Sequence, residues 1–123
     1  MIMNFKIVIH ESEGIVEPDI CGKSIELIKP ETSGSKLMSI ATILINSGEE
    51  SKEHFHKVME EIYYITEGEG EIIIDDICSK IKIGSAILLP IGSKHKIKNT
   101  GKSVLKFISV DSPPYDENDV YMT

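Results

Sequence analysis

This 123-residue chain contains no arginine, since all 13 of its basic residues are lysine. The arginine side chain is a planar fork that holds carboxylates and phosphates through two parallel hydrogen bonds. A site for an anion in this chain must therefore use lysine, backbone amides or a metal. A genome with A/T-rich codons would also produce a chain rich in Ile and Lys, but the chemical consequence would be the same.

Other absences exclude whole classes of function. The net charge of −7 and the lack of a basic stripe argue against a nucleic-acid partner, because phosphate contacts need clustered cations. No apolar run approaches the roughly 20 residues that span a bilayer, and no segment has the pattern of a signal peptide. We therefore expect a cytoplasmic protein with no membrane partner. Cys21 and Cys78 lack C-x-x-C spacing, so we expect two reduced thiols; a disulfide between them is the alternative.

The apolar residues are distributed in short runs rather than in helical stripes. With 41 % apolar residues, a chain of this length can bury a core of its own, and we expect one domain over residues 1–123. Runs rich in Ile, Val, Tyr and Phe, bounded by turn residues, predict many short strands and an all-β sandwich or barrel. The predicted strands cover residues 5–10, 24–29, 36–46, 60–66, 70–75, 79–84, 85–90, 95–99 and 103–110.

Alternation along these strands predicts which side chains face the interior. In "KHKIKN" the three lysines share one face, so His95, Ile97 and Asn99 are expected inside. Asp75-Asp76 is expected to form a hairpin turn. In the strand after this turn, the residues expected to face inward are Ile77, Ser79, Ile81 and Ile83. For residues 36–46 two alternatives remain: either Ser39 and Ala41, or Met38, Ile40 and Thr42, line the inside.

The histidines are the strongest functional signal. His54 and His56 lie at i and i+2 and project from one strand face, Glu61 follows, and His95 points inward from a later strand. Imidazole and carboxylate are ligands for Zn, Fe, Mn, Ni or Cu. A His-x-His pair on a strand also occurs without a metal, but the third histidine and the carboxylate favour a metal site. The fourth histidine, His10, stands alone and is expected to be structural.

Glycine and proline spacing around these residues identifies a family. The stretch 48–68 reads "GEESKEHFHKVMEEIYYITEG", and the stretch 84–99 reads "GSAILLPIGSKHKIKN". They resemble the first and second motifs of the cupin superfamily, and the 15 residues between them resemble the spacing of compact microbial cupins. The resemblance implies a double-stranded β-helix, or jelly-roll, barrel that holds one divalent transition metal ion. It matches His54, His56 and Glu61 to the first-motif ligands and His95 to the second.

The neighbouring carboxylate, Glu60, is excluded by the motif spacing to Gly68 and by strand parity. Gly68, Gly84 and Gly92 fit turns that need positive φ. Asn99 is expected to be structural.

Three imidazoles and one carboxylate leave about two positions open on an octahedral metal. The sequence selects no metal; Fe, Mn, Ni and Zn all remain. Cupins that act on sugar phosphates, nucleotide sugars or oxalate generally use a pocket arginine, which is missing here. We therefore expect a metalloenzyme acting on a small, largely neutral oxygenated or aromatic substrate, with dioxygenase chemistry slightly favoured over isomerase or lyase chemistry. The alternatives are a metal-dependent binding or sensing module without turnover, and an interaction protein in which the metal only stabilises the barrel.

Few other groups are expected to act in the reaction. Glu61 is the expected acid–base carboxylate, and Tyr63, on the same strand face, is expected to orient the substrate. Ile62 and Tyr64 make the other face of this strand apolar as well, so the strand is expected to lie either between two sheets or at a subunit contact, and we expect a homodimer. The acidic, Pro-rich tail, residues 111–123, is expected to lie extended on the surface or against a second subunit, and its "DEND" lacks the other residues of a calcium loop.

Overall fold

The computed structural model describes residues 4–123 and consists mostly of antiparallel strands. The strands are β1 (Ile15–Asp19), β2 (Gly22–Ile28), β3 (Ser39–Ile45), β4 (His54–Phe55), β5 (Glu60–Glu67), β6 (Glu69–Ile74), β7 (Ile77–Lys82), β8 (Ala86–Leu89), β9 (His95–Asn99), β10 (Leu105–Ser112) and β11 (Tyr121–Met122). Within the described residues, helical structure is limited to α1 (Pro30–Ser33) and two 3₁₀ turns, Glu11–Glu13 and Glu117–Asp119. None of these helices is long and apolar enough to cross a membrane.

The strands form two sheets that face each other as a jelly roll, which confirms the predicted fold class. The six-stranded sheet has the order β1-β2-β3-β10-β5-β8, and the five-stranded sheet has the order β11-β4-β9-β6-β7. Every strand pairing within residues 4–123 is antiparallel; for example, β10 pairs with both β3 and β5. The two inner faces enclose the core, and one end of the space between them holds the candidate site.

The apolar core follows the alternation seen in the sequence. Ile65 of β5, Ile97 of β9, and Leu105 and Phe107 of β10 are at most 1 % exposed. Burying one such side chain stabilises a fold by about 1.5–3 kcal/mol. His95 and Asn99 flank Ile97 on the inward face and are also buried, as predicted.

The turns also agree with the predictions. Asp75 and Asp76 adopt φ values of 47° and 69° between β6 and β7, the two-residue conformation that matches the twist of a hairpin. Gly68, Gly84 and Gly92 have φ values of 81°, 90° and 82°. At Gly68 a side chain is also excluded by space, because a Cβ there would lie 2.5 Å from a backbone carbonyl oxygen.

The prediction of a strand over residues 5–10 is wrong. This segment forms no strand, and Ile7 and Val8 are 62 % and 82 % exposed. It runs beside α1, where the amide of Lys6 donates to the carbonyl of Thr32. The outermost strand is instead β1, which contains Pro18 and pairs with β2. Proline is tolerated there because an edge strand needs hydrogen bonds on only one side.

The face predicted for residues 77–83 is largely wrong. Ile81 is buried, but Ser79 is exposed, and Ile77 and Ile83 are 71 % and 66 % exposed. The cause is position, because β7 is the edge of the five-stranded sheet. Only Ile81, near the C-terminal end of β7, is buried, so alternation alone did not establish burial.

The tail prediction is only partly right. Asp111 belongs to β10 rather than to a tail, and Asp119 is buried. Tyr121 and Met122 extend the five-stranded sheet by pairing with Phe55 and His54. The tail therefore packs against its own barrel, beside the predicted ligands.

The outer face of β5 is exposed, as its apolar residues had suggested. Ile62 and Tyr64 are 47 % and 46 % exposed, and Leu88 of the neighbouring strand β8 is 54 % exposed. In the register of the two strands, Ile62 lies directly beside Leu88. The subunit contact at this face stays a prediction.

Candidate metal centre

The barrel brings together the four side chains that the sequence had singled out. His54 of β4 and His95 of β9 are directly paired across the five-stranded sheet. His56 follows β4, and Glu61 faces them from β5 in the other sheet. Each of the four residues offers one ligand atom, and these atoms lie within 4.8 Å of one another. All four side chains are at most 5 % exposed, so the cluster is an interior feature.

Backbone carbonyls orient each imidazole in the same way. The Nδ1 atoms of His54, His56 and His95 lie 2.8, 2.7 and 3.2 Å from the carbonyl oxygens of Lys52, Asp119 and Ser93, respectively. Because a carbonyl only accepts hydrogen bonds, Nδ1 must carry the proton and donate it. The unprotonated Nε2 of each ring is then the atom left to bind a metal.

The remaining polar atoms of the cluster fit a cation. Glu61 Oε1 lies 2.8 Å from His56 Nε2 and 3.3 Å from His95 Nε2. All three atoms are buried without a hydrogen-bond partner among the described residues. Lone pairs facing each other at this distance repel unless a proton or a metal ion lies between them. A divalent metal ion would satisfy all of them, so the residues present fit the group that the resemblance implies.

The pKa shifts within the cluster follow from burial and from Glu61. Burial, helped by the charge of His95, lowers the pKa of His54 to about 4. Burial also disfavours the charged form of His56, but Glu61 and Asp119 outweigh it and raise the pKa of that ring. For Glu61, burial favours the neutral form, but the adjacent His56, His95 and Asp111 outweigh it and hold the pKa of Glu61 well below the usual range. The carboxylate is therefore ionised, which favours metal binding.

Asp111 is a further buried carboxyl that the sequence reading did not single out. It is 5 % exposed and lies directly beside Glu61 in the pairing of β10 with β5. Burial and the adjacent Glu61 raise its pKa to about 10. A usable signal was present, because Asp111 continues the inward series of Leu105, Phe107 and Ser109. It was missed because residue 111 was assigned to the tail.

Asp119 is the second residue that the sequence reading missed. Its carboxylate accepts hydrogen bonds of 2.8–3.2 Å from the amides of Lys57, Val58 and Met59, and its carbonyl accepts from His56. These amides outweigh burial and lower the pKa of Asp119. The tail thus fixes both the ring of His56 and the loop that follows it. No local pattern predicts this contact, which joins residues about 60 positions apart in the chain.

The cluster opens into a cavity of about 1140 Å³ that lies between the sheets and under the tail. Tyr63, Ser39, Ile40 and Ala41 line it. Of the two alternatives for residues 36–46, Ser39 and Ala41 face inward, with Ala41 packed against the core, and Met38 is 53 % exposed. Ile40 of the other alternative also lines the cavity, and Thr42 is 4 % exposed, so each alternative is right in part.

Tyr63 is 2 % exposed, and its burial, with Glu61 nearby, raises the pKa of its phenol well above the usual value. Tyr63 therefore remains a hydrogen-bond donor at neutral pH.

Four other expectations concern residues outside the cluster. Glu60 is exposed on the opposite face from Glu61. Asn99 has a structural role, since its side-chain amide donates to the carbonyls of Ile45 and Ser103. His10 caps the first 3₁₀ turn, where its Nδ1 accepts from the amide of Ser12. Both cysteines are free thiols, Cys21 buried and Cys78 exposed.

Comparison with known families agrees with this geometry. The family described as "Cupin domain" matches residues 41–111, a range that contains all four clustered residues. The chain belongs to the cupin family. An uncharacterized protein of Methanocaldococcus jannaschii is 35 % identical over 76 % of this chain and 75 % of its own length. An "Oxalate-binding protein" of Thermotoga maritima is 32 % identical over 68 % of this chain and 69 % of its own.

A solved structure extends the likeness in fold. The polyketide cyclase RemF of Streptomyces resistomycificus superposes on this cupin with a TM-score of 0.77, and the match covers 94 % of this chain and 84 % of RemF. The two sequences are 19 % identical, so this likeness concerns the fold alone.

Proposed function

We propose that this cupin binds one divalent transition metal ion through His54, His56, Glu61 and His95, and acts on a small oxygenated molecule held in the adjacent cavity. The observation that carries the proposal is the common orientation of the three imidazoles. Each Nδ1–H is held by a carbonyl, and the Nε2 atoms of His56 and His95 lie 2.8 and 3.3 Å from Oε1 of Glu61. One ligand atom of His54 lies within 4.8 Å of the others. When bound, the metal supplies Lewis acidity and open positions for oxygen ligands.

The residues around the metal would bury the site, transfer a proton and orient the substrate. The four side chains of the cluster are almost fully buried, so the barrel walls leave access to the cluster only from the side that opens into the cavity. Glu61 is the group that can hold or return a proton at Oε2, where the hydroxyl of Ser109 approaches to 3.4 Å. The phenol of Tyr63 stays protonated and orients a substrate oxygen by donating to it. Dioxygenase-type chemistry is favoured slightly over isomerase or lyase chemistry.

Oxygen consumption by the Fe(II)-loaded protein tests the enzymatic form of the proposal. We expect uptake that depends on a small phenol or diol and is lost in Glu61→Gln but retained in Glu60→Gln, which removes the neighbouring carboxylate from the exposed face. If neither the wild-type protein nor Glu60→Gln consumes oxygen or forms an isomerised product with any of a panel of such substrates, the proposal of turnover is contradicted.

A second candidate function is binding or sensing without turnover, and the relative named as an oxalate-binding protein favours it. In that case a ligand should raise the melting temperature of the metal-loaded protein, and all of the ligand should be recovered chemically unchanged. The same shift must be absent from the metal-free protein, since the ligand would bind through the metal. Recovery of a converted product would exclude this candidate.

We also propose that the protein is a homodimer. The exposed apolar side chains Ile62, Tyr64 and Leu88 on the outer face of the six-stranded sheet support this proposal. Light scattering should give twice the chain mass of 13.7 kDa, and Ile62→Lys should reduce it to one chain. A wild-type mass of one chain would contradict the proposal.

A further inference from the structure

The cavity beside the cluster is strongly acidic. Eight carboxyl-bearing residues line it, against two lysines. One of these lysines, Lys29, already contacts the Glu26 carboxylate at 3.3 Å. Glu17 and Glu31 are exposed at its rim. The chain contains no arginine that could offset these carboxylates. An anionic ligand that enters the cavity would therefore be repelled by the negative charge of its lining.

The inner wall of the cavity also presents an unused hydrogen-bonding atom. Asp111 is 5 % exposed, and its Oδ1 has no hydrogen-bond partner among the described residues. Its strand position beside Glu61 places it next to the metal ligands. An acceptor left unpaired in a protein interior costs about 1–3 kcal/mol. A ligand hydroxyl or N–H that donates to Oδ1 would recover that cost on binding.

We infer that the cavity selects an uncharged ligand that donates a hydroxyl or N–H hydrogen bond to Asp111, and that it disfavours dianions such as oxalate. This inference rests on the proposed function, because the ligand also reaches the metal. The inference is drawn from two features of this chain, the acidic lining and the buried Asp111.

Catechol and oxalate are the probes that test this inference. Both present two oxygens in the same 1,2 arrangement, but catechol is uncharged in neutral solution and carries two hydroxyl donors, whereas oxalate is a dianion. Zn²⁺ is the metal to load, because it does not undergo redox chemistry with catechol. Calorimetric titration of the zinc-loaded protein gives a Kd for each probe, and variants are compared with wild type so that the intrinsic preference of the metal cancels.

Asp111→Val should weaken catechol binding about tenfold, since it removes a buried acceptor, and should leave oxalate binding unchanged or tighter. Asp111→Asn keeps one carbonyl oxygen as an acceptor, so it should retain catechol binding. The paired change Glu17→Gln/Glu31→Gln should tighten oxalate binding about threefold at low salt, where rim charges act most strongly. Glu60→Gln, which removes one charge outside the cavity, is the matched control and should change neither Kd.

The inference would be overturned if Asp111→Val weakened the binding of catechol and oxalate equally, or if it left catechol binding unchanged. If Asp111→Val does not fold, catechol binding by Asp111→Asn and oxalate binding by the rim variant decide. Loss of catechol binding in Asp111→Asn, or an unchanged oxalate Kd in the rim variant, would overturn the inference. Wild-type protein that takes up no zinc would overturn the proposed function together with this inference. Zinc that binds without these Kd changes would overturn this inference only.

Discussion

The two ends of the barrel interior use the same strands for opposite purposes. At one end, Ile65 of β5 and Leu105 and Phe107 of β10 are fully buried and apolar. At the other end, the same inward faces continue as Glu61 on β5 and Asp111 on β10. The apolar end gains free energy by excluding water, whereas burying carboxyls without a partner costs free energy. The stability of the fold therefore does not explain the buried carboxyls at the polar end. Binding of a metal and a ligand there would explain them.

Phe107→Ala at the apolar end should have the largest effect. The side chain is 0 % exposed, and truncation of a buried Phe costs about 3–5 kcal/mol of unfolding free energy. Urea denaturation measures this loss. Ile77→Ala, at a position 71 % exposed on the sheet edge, is the control and should cost less than about 0.5 kcal/mol. A small loss in Phe107→Ala would mean that this end is not the stabilising core.

Glu61→Gln at the polar end should show the opposite pattern. It removes the only carboxylate ligand of the cluster, so we expect metal affinity to fall about 100-fold or more. In the metal-free variant the new side-chain amide can donate to the Nε2 atoms that Glu61 faces, so we expect a smaller loss of stability than in Phe107→Ala. Competition with a metal chelator and urea denaturation measure the two quantities. Metal affinity equal to that of Glu60→Gln would contradict the ligand assignment.

Asp119→Ala should weaken metal binding less, by about tenfold, because Asp119 orients a ligand without being one. Its carboxylate holds the amides of residues 57–59, and its carbonyl orients His56. Asp116→Ala removes another tail carboxylate, which caps the amide of Asn118 instead, and is the matched control. A loss of stability with unchanged metal affinity would show that the tail only supports the fold.

The smallest expected effect is the pH dependence of the metal-free protein. His54 has a folded pKa of about 4 and an unfolded value near 6.5, so its stabilising contribution is complete above pH 6.5 and is lost as pH falls toward 4. From pH 7 to 5.5 the loss is about 1 kcal/mol. His56, whose pKa is raised, acts in the opposite sense and loses its contribution as pH rises above 6.5.

Comparison of wild type with His54→Gln isolates this effect, because His56 contributes to both proteins. Wild type should lose about 1 kcal/mol more stability than the variant over this interval. Parallel curves for the two proteins would show that His54 is not held neutral by burial.

The motif stretches could be predicted in detail because their constraints are local. Strand parity separated Glu61 from Glu60, and turn chemistry predicted the φ values at Asp75 and Asp76. The failures were non-local. The segment 5–10 has strand composition but pairs with no strand, and β7 lies at a sheet edge that alternation cannot reveal. The carbonyls that orient the imidazoles belong to the backbone, so the identities of the side chains do not predict them. The contact of Asp119 joins distant parts of the chain.

The metal content of the purified protein tests the central claim most directly. Elemental analysis of protein expressed without added metal should give close to one transition metal ion per chain. The same value is expected for His10→Ala, which removes the histidine outside the cluster, and a value near zero for His54→Ala/His95→Ala. Two results would contradict the claim that the polar end of the barrel is a metal centre. One is wild-type protein that contains no metal and takes up no added metal; the other is a double variant that retains the metal.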